Sequence, residues 1–253
     1  MKNKLLISAM SFFAGAFILS SCSKKLDITP TNALNSAQVY SSPDNFKKVL
    51  GKLYATLSTT GNTGPAGSPD IGGGLDEGSQ IAFIRGFFNC QELPTDEAVV
   101  AWNDQTIWDF HYMRWNSADP FLKGMYARPI YNVSLANELL RNSTDAKLSE
   151  YGISGADATI VKNMRSEARF LRAFNYWVML DLFGKSTFVT ENDPVSNFIP
   201  PEISRINLFN YVEAELKAID TELPDAKTAE YGRVDKAAAW GLLARLYLNA
   251  GVY

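Results

Sequence analysis

The chain has 253 residues, 46% of them hydrophobic, which is enough for one large core or two small ones. Twenty-four basic residues stand against 27 acidic ones; without residues 1–21, which hold Lys2 and Lys4, the balance is 22 to 27, a net charge of −5 that excludes the electrostatic footprint of nucleic-acid binding. With only Cys22, Cys90 and a single His111, the chain has no disulfide framework and no multi-histidine site, and no other cluster has zinc or calcium spacing, so neither metal nor cofactor is expected.

Lys2 and Lys4 precede an apolar run from Leu5 to Leu19, too short to span a bilayer comfortably and suited to a signal peptide over residues 1–21. Leu19-Ser20-Ser21-Cys22 follows as a lipobox, in which small residues expose the scissile bond and the Cys22 thiol takes the lipid. Acyl chains contribute roughly 0.8 kcal/mol per buried methylene, so a multiply acylated Cys22 would anchor a soluble domain to a membrane. Residues 22–41 read as a lipidated tether, with the folded domain over 42–253.

Ser42-Pro43-Asp44 signals a helix start, and the helix is expected to run to about Ser58 with Phe46, Val49, Leu50, Leu53 and Leu57 buried. Glycines and prolines from 61 to 78 predict a loop; its Gly72–Gly74 run lacks the lysine, serine and preceding strand of a phosphate loop. Residues 80–88 are a short helical or irregular apolar stretch. Cys90 reads as a buried small hydrophobe rather than a nucleophile. Helices are expected within 120–141, broken at Pro129, with Ile130, Val133, Asn137 and Leu140 in register after it. A polar connection over 142–157 leads to the most apolar segment, Arg165 to Gly184. There Ala168, Leu171, Asn175, Val178, Met179 and Leu182 recur at helical spacing among five further aromatic rings, leaving a charged strip of Arg165, Glu167, Arg169 and Arg172 for solvent or ion pairing. Gly184 reads as its stop.

Residues 186–201 are extended and Pro-rich. Two final helices follow, about 207–222 burying Leu208, Val212, Leu216 and Ile219, and 233–249 burying Val234, Ala237, Ala238, Gly241, Ala244 and Leu248. The ensemble predicts a mostly α fold of tetratricopeptide-like stacked helical hairpins with a long loop-rich face for ligand. With no polar capping helix before Tyr253, the stack reads as truncated at its C-terminus.

Between the helices, residues 92–116 concentrate rings and amides without a clean period: Trp102, Trp108, Tyr112 and Trp115 among Asn103, Asp104, Gln105 and Asp109. Sugars offer apolar C–H faces to rings and hydroxyls to amides and carboxylates, so this composition suits a carbohydrate platform. The competing reading packs Trp108 and Trp115 onto the helical core. Acid pairs at 76–77 and 96–97 do not establish a glycosidase dyad, because carboxylate separation defines one, and no nucleophile elbow, HExxH or Walker sequence is present.

Three ordered segments, EARFLRAFNYW with DLFG (167–184), RINLFNYVEAELKAIDTELP (205–224) and YGRVDKAAAWGLLARLYLNA (231–250), resemble the SusD/RagB family of surface nutrient-binding lipoproteins. The resemblance covers the chain but only the N-terminal half of the family's length. It implies a non-enzymatic, lipid-anchored outer-membrane protein that binds oligosaccharide, or peptide in some members, and passes it to a SusC-like TonB-dependent transporter. It also implies that the loop after TDEAV (95–99) supplies a stacking ring and a polar neighbour, here Trp102 and Asn103; with Asp104 and Trp108 these are the candidate ligand residues, and Cys22 is the lipidation site. A scaffold that binds only protein partners is the remaining alternative, and it requires buried rings at Trp102 and its neighbours.

Overall fold

A computed structural model of the chain describes residues 35–62, 69–76, 78 and 80–253. The expected signal peptide, Cys22 and the expected tether up to residue 34 lie outside the described residues. Residues 35–39 belong to a first unit, in which the single-turn helix α1 (Ser36–Val39) is capped by the Asn35 carbonyl side chain accepting from the Gln38 N–H. The second unit runs from Tyr40 to Tyr253.

Helix α2 (Pro43–Ala55) starts as its sequence dictates: Pro43 occupies the first turn, and the Ser42 hydroxyl accepts from the Asn45 N–H at 3.4 Å. It buries Phe46, Leu50 and Leu53, whereas Val49 and Leu57 are only half-buried, and it ends three residues before the expected Ser58. Helix α3 (Phe83–Glu92) and the seven-residue α4 (Gln105–His111) follow.

Helix α5 (Pro120–Asn142) corrects the break expected at Pro129, which lies buried inside one continuous 23-residue helix. The ring removes one backbone donor, a loss of about 3 kcal/mol in an isolated helix. Burial of Phe121 and Met125 before the proline and of Val133, Ala136, Leu139 and Leu140 after it holds the two halves in line against the central helix. The expected polar connection over 142–157 instead contains helix α6 (Asp145–Glu150), capped by the Thr144 hydroxyl accepting from the Lys147 N–H. The central helix α7 (Gly155–Phe183) also begins ten residues before the apolar segment that announced it. It stops at Gly184, whose φ of +75° is open to glycine and whose N–H returns to Leu180 O.

The core lies around α7, with α2, α5 and α8 (Arg205–Ile219) packed on it and α9 (Lys236–Leu248) packed on α8. This is the tetratricopeptide-like stack of helical hairpins that the sequence predicts. A two-residue antiparallel ladder, β1 (Ser186–Thr187) with β2 (Glu202–Ile203), closes the extended segment between α7 and α8. Helix α8 buries Leu208, Val212, Leu216 and Ile219 as its spacing requires. Helix α9 corrects its predicted face: Ala239, Leu242 and Leu246 are buried beside Val234, while Ala237, Gly241 and Ala244 are exposed and Leu248 is 85% exposed.

The charged strip of α7 turns inward to ion pairs. Glu167, whose side chain is 2% exposed, accepts from Arg233 and from the Tyr54 hydroxyl at 2.7 Å, and that hydroxyl accepts from Val234 N–H. Arg172, 3% exposed, reaches Asn137 at 2.8 Å, Glu215 at 3.0 Å and Glu191, so one guanidinium joins α5, α7, α8 and the extended segment. Arg169 pairs with Glu215 and Glu222. Single charges at this depth would be costly; satisfied pairs fix which helices face one another.

Candidate functional site

The face that carries the candidate ligand residues is assembled from α3, the loop after it, α4 and the loop leading into α5. Beneath it Leu93, Ile107, Phe110 and Phe121 form a buried cluster, with Cys90, Val100 and Leu122 packed against it. Helix α4 is therefore amphipathic in an unusual sense. Ile107 and Phe110 point into that cluster, while the opposite side carries Trp108, followed one turn later by Tyr112 just past the helix end. With rings outside and apolar residues inside, hydropathy shows no contrast, so the sequence gives no helical period there.

The loop before α4 is tied down at both ends. The Thr95 hydroxyl donates to Glu92 O at 2.7 Å and accepts from the Glu97 N–H, and Val100 N–H donates to His111 Nε2 at 3.2 Å. The lone histidine is thus a strut between loop and helix. Past α4 the chain turns through Met113, with φ of +52°, a left-handed conformation that costs a non-glycine residue roughly 1–2 kcal/mol. Its N–H returns to Phe110 O, and Arg114 N–H to Asp109 O, so this turn closes the helix.

Trp102 is 53% exposed, Asn103 and Asp104 are exposed, and Trp108 is 37% exposed. Asn103 and Asp104 make no side-chain hydrogen bond within the described residues; Asp104 occupies the cap position of α4 without accepting from its N–H groups. The structure pairs Trp108 with Tyr112, ring centroids 5.9 Å apart and planes within 13°, making a stacked double ring with the Arg114 guanidinium 4.9 Å from the Tyr112 centroid. Trp115 is 43% exposed and leans on core Phe110. The rings are thus neither buried, as a purely protein-binding scaffold requires, nor free: each has one side supported by the protein.

One residue absent from the sequence reading belongs to this face. The Arg85 guanidinium carbon sits 5.7 Å from the Trp102 ring centroid, and its Nη1 donates to Gly78 O at 2.6 Å. Arg85 also lines a cavity of about 460 Å³ with Ser58, Ala82, exposed Ile84 and exposed Phe88. A planar donor beside an exposed indole offers the two contacts a sugar needs, apolar face and hydroxyl acceptor. Arg85 and Trp102 are seventeen positions apart in the sequence, and no local pattern joins them.

Cys90, half-buried in this cluster, has its thiol pushed up to about 12 by burial and, secondarily, by the Asp119 carboxylate, which keeps it protonated and unreactive. Asp119 is itself buried and caps α5, accepting from Phe121 and Leu122 N–H. Among the described residues no group of His, Cys, Asp and Glu is placed to hold a metal ion, and no helix is long and apolar enough to cross a membrane.

The fold is a tetratricopeptide-like helical stack that carries supported, outward rings on one loop-rich face. The chain is 39% identical, over 236 residues, to the starch-binding protein SusD of Bacteroides thetaiotaomicron, a match covering 93% of this chain and 39% of that protein. Several solved structures share the fold, two of them as follows. A SusD-like carbohydrate binding protein from Bacteroides fragilis has a TM-score of 0.62 and 18% identity over 82% of this chain and 37% of that one. Surface glycan-binding protein A from Bacteroides uniformis has a TM-score of 0.62 and 20% identity over 82% and 42%. No protein-family model matches. The chain is similar to SusD in sequence and to SusD-like proteins in fold, and it spans about two fifths of the length of the relatives it matches.

Proposed function

We propose that this chain acts as a surface lipoprotein that captures oligosaccharides, without catalysis, and passes them to a SusC-like TonB-dependent outer-membrane transporter. The observation that carries the reading is the set of exposed, protein-backed rings at Trp102 and Trp108 beside Asn103, Asp104 and Arg85. A pyranose lies its C–H face on Trp102, and Arg85 donates to its hydroxyls while Asn103 and Asp104 remain available to pair with them. The Trp108–Tyr112 stack offers a second flat surface on the same loop-rich face. The starch-binding protein in the 39% match favours a sugar over a peptide cargo.

In this reading Cys22 carries the lipid that holds the protein at the outer membrane, and the helical stack docks on the transporter. Isothermal titration of the lipid-free chain against a glycan panel, with Trp102→Ala alongside, tests capture. Binding to at least one neutral glycan that weakens about tenfold or more in the variant supports it, and binding to none overturns it. Labelling of cells with radioactive palmitate tests the anchor: incorporation abolished by Cys22→Ala is expected, and an unlabelled wild-type protein overturns that part.

A further inference from the structure

A second opening lies on the α5 side of the ring-bearing loop. Trp115, Asn116 and Ser117 from the loop, Leu122, Lys123 and Tyr126 from the first turns of α5, and Phe183 from the end of α7 enclose a groove of about 440 Å³. That volume is within the roughly 300–1,000 Å³ of small-ligand sites. Rings and aliphatic surface dominate its lining. Tyr126 and Phe183 meet edge to face at 5.2 Å, and the Tyr126 hydroxyl is consumed by Thr187, so Tyr126 offers the groove its ring alone. Trp115 packs against Phe110, ring centroids 6.0 Å apart, and is 43% exposed.

The polar lining has one sign. Lys123 is the sole charged lining residue, and its exposed ammonium makes no ion pair or hydrogen bond among the described residues. Asn116 uses its carbonyl oxygen to accept from Ala118 N–H, which leaves its NH₂ without a partner, and the Ser117 hydroxyl is likewise unpaired. No carboxylate lines the groove, in a chain whose acids outnumber its bases, and the nearby Asp119 is occupied in capping α5. Three unmatched donors, one of them cationic, above a floor of rings fit a ligand with an apolar ring face and a carboxylate on the same unit.

We propose that this groove is a second ligand site, separate from Trp102 and Arg85, and that it takes a uronic acid residue of an acidic oligosaccharide. The pyranose C–H face lies on Trp115 and Phe183, and the carboxylate meets the Lys123 ammonium with the Asn116 amide and Ser117 hydroxyl as neighbours. The proposal rests on the glycan-capture reading and narrows it: the cargo is acidic at this site, whatever occupies the Trp102 face.

The test is isothermal titration of the full chain with trigalacturonic acid and with the neutral α-1,4-galactotriose, using wild type, Lys123→Ala and Trp115→Ala, each checked for native circular dichroism. Expected are binding of the acid trimer at least tenfold tighter than the neutral one, a loss of tenfold or more in Lys123→Ala and in Trp115→Ala, and weakening as salt rises. Failure of the wild type to bind the acid trimer, equal binding of the neutral trimer, or full retention in Lys123→Ala overturns the proposal. Trp102-dependent binding of a neutral glycan from the panel survives each of those failures, so the capture reading and this site fall separately.

Discussion

Substitution of Phe110 by alanine should loosen the ring-bearing face without unfolding the stack. A seven-residue helix has no independent stability in water, so α4 holds its shape only through Ile107 and Phe110, 1% and 2% exposed. Full burial of two such side chains is worth roughly 3–6 kcal/mol in all, and Phe→Ala at a buried position costs about 3–5 kcal/mol. Removing Phe110 therefore takes away half or more of what holds α4, together with the support of Trp115 and the contact with Phe121. At about 1.4 kcal/mol per tenfold, amide protection over 105–112 should fall about a hundredfold or more by hydrogen exchange. Amides of α7 within 168–180, in the most buried helix, should keep theirs. Glycan affinity should drop with α4 although Phe110 itself is buried away from any ligand. Equal loss of protection in α4 and α7, or no loss in α4, would refute the view that this face is a separately stabilised layer.

Three further outcomes follow from the scaffold. Glu167→Ala leaves Arg233 with exposed Glu230 as its one ion-pair partner among the described residues and removes the acceptor of Tyr54; removal of one partner from a buried pair costs about 3–5 kcal/mol, discounted to about 2–3 because Arg233 is 24% exposed and keeps Glu230. At 2–4 °C per kcal/mol the melting temperature should fall by about 4–12 °C, and a change under 2 °C would contradict the assignment. In Gly184→Ala the new Cβ would sit 2.4 Å from Arg205 Nη2 at a φ of +75°, so a loss of at least about 1–2 kcal/mol is expected in urea titration, and an unchanged midpoint would count against it. Burial pushes the Glu215 carboxyl up, but hydrogen bonds and charge from Arg169 and Arg172 outweigh it and hold the group below the ordinary glutamate value. A depressed folded value gives stability that is fully present above the unfolded value of about 4.3 and is lost as pH falls from there through the lower folded value, so the melting-temperature gap between wild type and Glu215→Gln should narrow from pH 6 to pH 3; a gap independent of pH would refute the linkage.

Much of the scaffold was legible because its signals are local. The Ser42-Pro43 start, the Gly184 stop and the four-residue spacing of Leu208, Val212 and Leu216 each act within a turn or two of chain. The failures came where tertiary packing overrode local preference or where hydropathy carried no contrast. Pro129 stays helical because both flanks of α5 are buried. The face of α9 was misassigned because apolar residues circle it: small residues suggested a close-packed side, yet the larger Leu242 and Leu246 took the buried positions. Helix α4 escaped notice for a related reason, since Trp108 and Tyr112 outside match Ile107 and Phe110 inside in hydropathy. The candidate residues Trp102, Asn103, Asp104 and Trp108 could be nominated from composition, but the Arg85 partner of Trp102 could not, because that contact exists only after α3 and the following loop have folded on one another.

The same contrast explains how the two halves of the molecule divide their work. Helix α7 joins its neighbours through buried apolar residues along most of its 29 positions and through paired charges at Glu167, Arg169 and Arg172, each of which would be costly to uncouple. The ring-bearing face has one small buried cluster, one histidine strut and a strained turn at Met113. A surface that receives flat sugar rings gains affinity when its own rings are already fixed, because each side chain immobilised on binding costs about 0.5–1.5 kcal/mol. Here that ordering is done in advance: Phe110 backs Trp115, Arg85 lies over Trp102, and Trp108 is stacked on Tyr112. Removal of the supporting group should therefore weaken ligand binding even where the ring itself remains, and Arg85→Met, which keeps bulk beside Trp102 but removes the planar donor, separates support of the ring from hydrogen bonding to the sugar.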